Sequence, residues 1–163
     1  MIRHIAIALL LSLTLTACGF QLRGSTPLPA SLNPLLIQGI DIESPIGAEL
    51  AQLLGESGVT LTRQTSAAAA ILRLHNHRVD RRVLSVDSNG KVAEYELHEM
   101  LRFELVSKAN AQLIPAQSVG VVRAYVNTEE QVLGKQQEEE MLRQDMQRDL
   151  ADQLLRRLQT QLK

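Results

Sequence analysis

Asn89-Gly90 stands between two long runs of alternating polarity, and this arrangement constrains the fold more than any other feature of the chain. Asn-Gly between two such runs is the strongest short hairpin signal, so the two runs are read as adjacent antiparallel strands. On the return run Ala93, Tyr95, Leu97, Leu101, Phe103 and Leu105 fall on one face, interrupted only by Glu99. Glu94, Glu96, His98, Arg102 and Glu104 fall on the other, which is wet or meets a polar partner. The outgoing run starts with Leu72 and Leu74 on one face and Arg73, His75 and His77 on the other. Its phase then slips, with Val79 and Val83 on the face of His75 and with Leu84 and Val86 back on that of Leu72. A bulge near Arg78-Asp80-Arg81-Arg82 would reconcile the two halves.

The remaining elements arrange themselves around this hairpin. Leu35 to Ile42 is apolar enough for a buried strand. Ser44 can cap a helix with Pro45 in its first turn, and Ile46, Leu50, Leu53 and Leu54 form a stripe ended by Gly55 and Gly58. Val59 to Thr62 alternates as a short strand, and Ala109 to Gln112 is a turn before a strand over Val119–Val126. Asn127 to Gly134 is a loop, and a helix runs from about Lys135 to the C-terminus. Its leucines and Met146 recur every four residues from Leu142 to Leu162. The expected order is β-α-β-β-β-β-α. The fold class is α+β: a mostly antiparallel sheet of four to five strands, mixed if the first helix forms a crossover, with two helices on one face.

The N-terminal region carries a different signal. Met1-Ile2-Arg3-His4 is short and positive, and Ile5 to Leu15 is apolar apart from Ser12 and Thr14. That run is shorter than the roughly 20 apolar residues needed to span a bilayer, which suits a secretory signal peptide. Leu15-Thr16-Ala17-Cys18 resembles a lipobox, and Cys18 is the only cysteine. The expectation is a signal peptide over 1–17, thioether acylation of Cys18 with further palmitate-type acylation, an extended tether over 18–34 and one α+β domain over 35–163. Each buried CH₂ contributes about 0.8 kcal/mol, so two or three acyl chains anchor a protein stably. Pro27, Pro29 and Pro34 keep the tether out of helix.

Composition narrows the function. The chain has 17 basic and 18 acidic residues, a net charge of −1, two Phe, two Tyr and no Trp. A nucleic-acid binder wants a basic face and stacking platforms, so no nucleic-acid partner is expected. No Gly-x-Ser-x-Gly, His-Glu-x-x-His, cysteine pair or phosphate loop occurs, and neither enzyme activity nor a cofactor is expected. His75 and His77 with Asp80, Glu99 or Glu104 are the one metal-like grouping, read more simply as solvated strand histidines, so no metal site is assigned. Glu138-Glu139-Glu140 is read as solvated surface. Arg73, Arg78, Arg81, Arg82 and Lys91 gather on the hairpin, and Lys135 stands at the start of the last helix. Such groups either keep strand edges soluble or make charge-assisted bonds to phosphate.

Three stretches carry a family resemblance. Cys18-Gly19-Phe20-Gln21-Leu22-Arg23-Gly24, Asn89-Gly90-x-x-Ala93-Glu94-Tyr95, and Leu133-Gly134-Lys135-Gln136 through Met141 are similar to LptE, the lipopolysaccharide-assembly lipoproteins of Gram-negative outer membranes. The resemblance implies an outer-membrane lipoprotein, with its domain on the periplasmic side inside the lumen of a β-barrel partner, LptD, in a one-to-one complex. It implies a non-catalytic part in placing lipopolysaccharide in the outer leaflet. It also implies lipopolysaccharide contacts through basic residues, for which Lys135 and Lys91 come first and Arg81 and Arg82 next. Some family members carry a basic residue just before Asn-Gly, where this chain has Ser88, and Lys91 would then substitute for it. The alternative is a ligand-binding or scaffold lipoprotein with no obligate barrel partner.

Overall fold

The computed structural model describes residues 27–127 and 132–162, the side chains of 132–136 excepted. The expected signal peptide, Cys18 and the first part of the expected tether lie outside the described residues. A short 3₁₀ turn, Ala30–Leu32, precedes β1 (Leu35–Gln38), α1 (Pro45–Glu56), β2 (Ala70–Val86), β3 (Val92–Ser107), β4 (Gln112–Val126) and α2 (Val132–Gln161). The strands form one sheet in the order β1-β2-β3-β4, parallel between β1 and β2 and antiparallel elsewhere. The fold is therefore α+β with a mixed, mostly antiparallel sheet.

Both helices cover the same face. Ile46, Leu50 and Leu54 of α1 and Met146, Leu150, Leu154 and Leu158 of α2 join Leu72, Leu74, Leu97, Leu101, Phe103 and Leu105 in one core. Fully burying such a side chain is worth about 1.5–3 kcal/mol, so the periodic stripes of the two helices and of β3 supply most of the driving force. Ser44 caps α1 by accepting a bond from the Gly47 amide, with Pro45 in the first turn. Leu28 and Leu32, within the span read as tether, also enter this core.

Four details differ from the sequence reading. β1 ends at Gln38 and not at Ile42, because Gly39 turns the chain at φ +100° with the Leu74 carbonyl oxygen only 2.0 Å from where a Cβ would stand. Val59 to Thr62 makes a single parallel bridge, Leu61 to Leu35, and no ladder. The Asn33 side chain fixes it by bonding the Gly58 carbonyl and the Thr60 amide, and turns at Gln64–Ala68 then lead the chain away. β4 starts seven residues earlier than expected, at Gln112, and takes in Pro115; an outer strand tolerates a residue without an N–H. α2 starts at Val132, inside the span expected to be loop.

The phase slip in β2 is real but lies earlier than expected. Pairing jumps from His75↔Arg102 to Arg78↔Met100, and Asn76 in the bulge has φ +51°. Asparagine is among the few non-glycine residues that enter this region readily. Beyond the bulge Val79, Arg81 and Val83 oppose Glu99, Leu97 and Tyr95, so they lie on the helix-bearing face. The helices do not cover the hairpin fully: Val83, Leu84 and Val86 are about half exposed near its tip.

Candidate functional site

The Asn76 bulge decides where the basic residues of β2 go. Arg81 faces the helices, and Arg82, opposite Glu96, faces the open side. Arg81 lays its guanidinium over the Tyr95 ring, 4.6 Å from the centroid, and donates from Nη1 to Glu139 Oε2 at 3.2 Å. The Tyr125 hydroxyl, from the residue paired with Tyr95, donates to the same oxygen at 2.5 Å. Arg143, one turn further along α2, donates from Nη2 and Nε to Glu139 Oε1 at 2.6 and 3.1 Å. Glu139 is thus a receptor for donors from β2, β4 and its own helix.

Burial works against the ionised form of Glu139. The bonds from Tyr125 and Arg143, the Arg143 charge and the Arg81 bond overcome it and hold the pKa below the ordinary glutamate value. Tyr125 is pushed up, first by burial and then by its bond to Glu139. Arg81 is held charged, chiefly by its contact with the Tyr125 hydroxyl. Glu139 corrects the sequence reading of Glu138–Glu140: its neighbours are exposed, but its own side chain is only 19% exposed. The available signal was the i,i+4 spacing of Glu139 and Arg143, which favours a helical ion pair.

The four basic candidates do not converge on one point. Lys135 stands one turn before Glu139, about 6 Å along the axis of α2; its side chain lies outside the described residues. Lys91 closes the hairpin turn, where Asp87 Oδ1 accepts the Asn89 and Lys91 amides at 2.8 and 2.9 Å. These bonds, the one from Lys91 first, hold the Asp87 pKa low. The turn lies beyond Val86, which is itself about 17 Å along β2 from Arg81. Arg82 is exposed and makes no ion pair among the described residues. Arg81 and the α2 start bearing Lys135 therefore form one location, Lys91 a second at the tip, and Arg82 a third on the open face.

The bulge also separates the two histidines that alternation would place together. His75 stays on the open face near Glu104, and His77 turns to the helix face. There its Nε2 lies 2.7 Å from Oε1 of Glu99, whose side chain is 1% exposed between Leu97 and Leu101. The single polar interruption of the β3 core face thus has a dedicated partner, which strict alternation concealed. Among the described residues no group of three or more His, Cys, Asp or Glu side chains is placed to hold a metal ion.

Along β2 and β3 the open face is mostly polar, apart from the half-exposed Met100 and the small apolar cluster of Ile71 and Val106. Arg73 pairs with Glu104 and Asn110, Arg78 with Asp80, His98 with Glu96, and Ser85 with Glu94. Along β4 it becomes apolar, with Val122 and Val126 about half exposed. No helix among the described residues is long and apolar enough to cross a membrane.

The family model described as LptE: Lipopolysaccharide-assembly matches residues 32–158. The LPS-assembly lipoprotein LptE of Photorhabdus laumondii is 31% identical over 161 residues, covering 97% of this chain and 87% of the relative. The protein of the same name from Yersinia pestis is 31% identical over 162 residues, covering 97% and 77%. The solution structure of an uncharacterized lipoprotein B from Nitrosomonas europaea superposes with a TM-score of 0.69 at 29% identity, covering 85% of this chain and 88% of that one. The crystal structure of rare lipoprotein B from Shewanella oneidensis shares the fold, with a TM-score of 0.67 at 24% identity over 78% and 94% of the two chains.

Proposed function

Because this chain belongs to the LptE family of lipopolysaccharide-assembly lipoproteins, we propose that it plugs the lumen of an LptD-like outer-membrane β-barrel in a one-to-one complex. In that position it supports assembly of the barrel and takes part in lipopolysaccharide insertion into the outer leaflet. The family match over residues 32–158 is the observation that carries this reading. Cys18 holds the protein to the outer membrane through its acyl chains, and the domain lies on the periplasmic side within the barrel.

The physical features agree with such a role. A barrel lumen is polar and wet, and the β2–β3 side of the open face is a lattice of paired charges suited to it. Lipopolysaccharide carries phosphate, to which Arg and Lys make charge-assisted bonds. On this reading Lys91 at the hairpin tip, Arg82 on the open face, and Lys135 with Arg81 at the start of α2 contact the headgroup in passing. The role is one of positioning and does not involve catalysis.

The test is affinity purification of the full-length lipoprotein from detergent-solubilised outer membranes. A stoichiometric large β-barrel, followed by weaker lipopolysaccharide capture in a Lys91→Glu/Lys135→Glu variant, is the expected result. A lone lipoprotein, under conditions where other outer-membrane complexes survive, would overturn the plug reading and favour a scaffold without an obligate barrel.

A further inference from the structure

Three side chains from three elements point their donors at one carboxylate. Arg81 of β2, Tyr125 of β4 and Arg143 of α2 place four donor groups on the two oxygens of Glu139. Two guanidinium groups and a hydroxyl converging on two oxygens make a receptor for a compact oxyanion. The same donors suit phosphate, which offers three acceptor oxygens and a charge of about −1.5 to −2. The site is also reachable: the Arg81 and Arg143 side chains are 49% and 29% exposed. The Tyr95 ring beneath Arg81 gives that guanidinium a second contact besides the carboxylate.

We propose that Arg81, Tyr125 and Arg143 form a binding site for a phosphate-bearing ligand, and that Glu139 occupies this site from within. Glu139 is the internal competitor. An incoming phosphate brings more charge and takes over the donors, and Glu139 is then released. Glu139 also links α2 to the sheet, through Arg81 and Tyr125. Its release removes those two bonds between α2 and the sheet. Phosphate binding and the bonds of Glu139 to Arg81 and Tyr125 are thus mutually exclusive. The ligand source, a lipid headgroup, rests on the proposed role in lipopolysaccharide assembly, but the site itself does not.

The full-length lipoprotein in non-ionic detergent is titrated with inorganic pyrophosphate and, separately, with diphosphorylated lipid A in the same detergent. Glu139→Gln is expected to bind the phosphate probe at least about five-fold more tightly than wild type. Arg81→Gln added to it is expected to abolish the gain. Glu138→Gln removes the same formal charge next door and is expected to give none. A gain with both probes assigns the site to phosphate itself. A gain confined to lipid A, and still dependent on Arg81, assigns it to a lipid headgroup. No gain with either probe, or an equal gain in Glu138→Gln, overturns the proposal. Should Glu139→Gln fail to fold, the wild-type protein decides. The Glu139 side-chain carboxyl resonance is expected to shift on titration with pyrophosphate or with lipid A, and a resonance that neither probe moves overturns the site. Intact co-purification of the barrel alongside a failed titration rejects this site while leaving the plug reading standing.

Discussion

His77→Ala should destabilise the fold more than removing the buried acid that it serves. Glu99 lies on the core face of β3, between Leu97 and Leu101 and opposite Val121, all of which are buried. Its side chain is 1% exposed, whereas that of His77 is 27% exposed. The asymmetry sets the magnitudes. Truncating His77 leaves a buried carboxyl without its 2.7 Å partner, a loss of about 1–3 kcal/mol. Glu99→Leu puts an aliphatic group among aliphatic groups and leaves a histidine that reaches water, so its cost should stay within about 1 kcal/mol. In the double variant nothing buried is left unpaired, and its stability should match that of Glu99→Leu. The coupling energy is then about 1–3 kcal/mol, well above the few tenths expected of independent sites. Equilibrium urea unfolding of the four proteins, at constant m-value, measures each term. Additive single effects, or a Glu99→Leu cost exceeding that of His77→Ala, would refute the reasoning and mean that the acid is stabilised by something other than His77.

Three further outcomes follow from the geometry. Gly39→Ala should cost at least about 2 kcal/mol, read as a lowered melting temperature, because φ is +100° and the obstructing Leu74 oxygen is backbone. The melting-temperature gap between wild type and Glu139→Gln should be full near neutral pH and close on acidification. The folded pKa of Glu139 is depressed, so its contribution is present above the ordinary glutamate value and is lost as pH falls through the folded value; a gap constant from pH 7 to pH 3 would contradict this. Asp87→Ala should speed amide exchange at Asn89 and Lys91, whose N–H groups it accepts, while leaving the β3 core amides unchanged.

What could be read directly was whatever depends on local pattern. The α1 cap, the Asn-Gly turn, the α2 stripe and the β3 alternation each follow from spacing alone, and together they specify the sheet and its two covering helices. What escaped depends on contacts distant in sequence. Val59 to Thr62 has the alternation of a strand, yet its pairing is decided by Asn33, 27 residues away from Thr60. Gly39 limits β1 through a close approach to Leu74 that no window around Gly39 contains. Glu139 is set apart from Glu138 and Glu140 in the sequence only by Arg143 four residues on, and its place in the site depends on Tyr125 and Arg81 from distant strands. The family resemblance could be recognised in short motifs, but those motifs do not reveal that Arg81 is engaged within the fold.

The single residue with the widest consequence is Asn76. An extra residue in one strand reverses the facing of the residues after it, here as far as the next register shift between Val83 and Ser85, because side chains alternate with a period of two. Without the bulge His77 would share the open face with His75, Glu99 would be buried without it, and Arg81 would exchange places with Arg82. With it, neighbouring arginines are sent to opposite sides: one is locked against Tyr95 and Glu139, and the other is presented to the open face. A basic cluster in sequence is thereby divided into an internal anion receptor and an outward charge. The same displacement supplies the buried acid of β3 with a partner from β2, His77. Core satisfaction and the placement of the candidate phosphate-binding residues thus depend on one backbone conformation, φ +51° at Asn76. Asparagine there meets both needs, since it accepts that conformation where a β-branched residue natural to a strand would be strained.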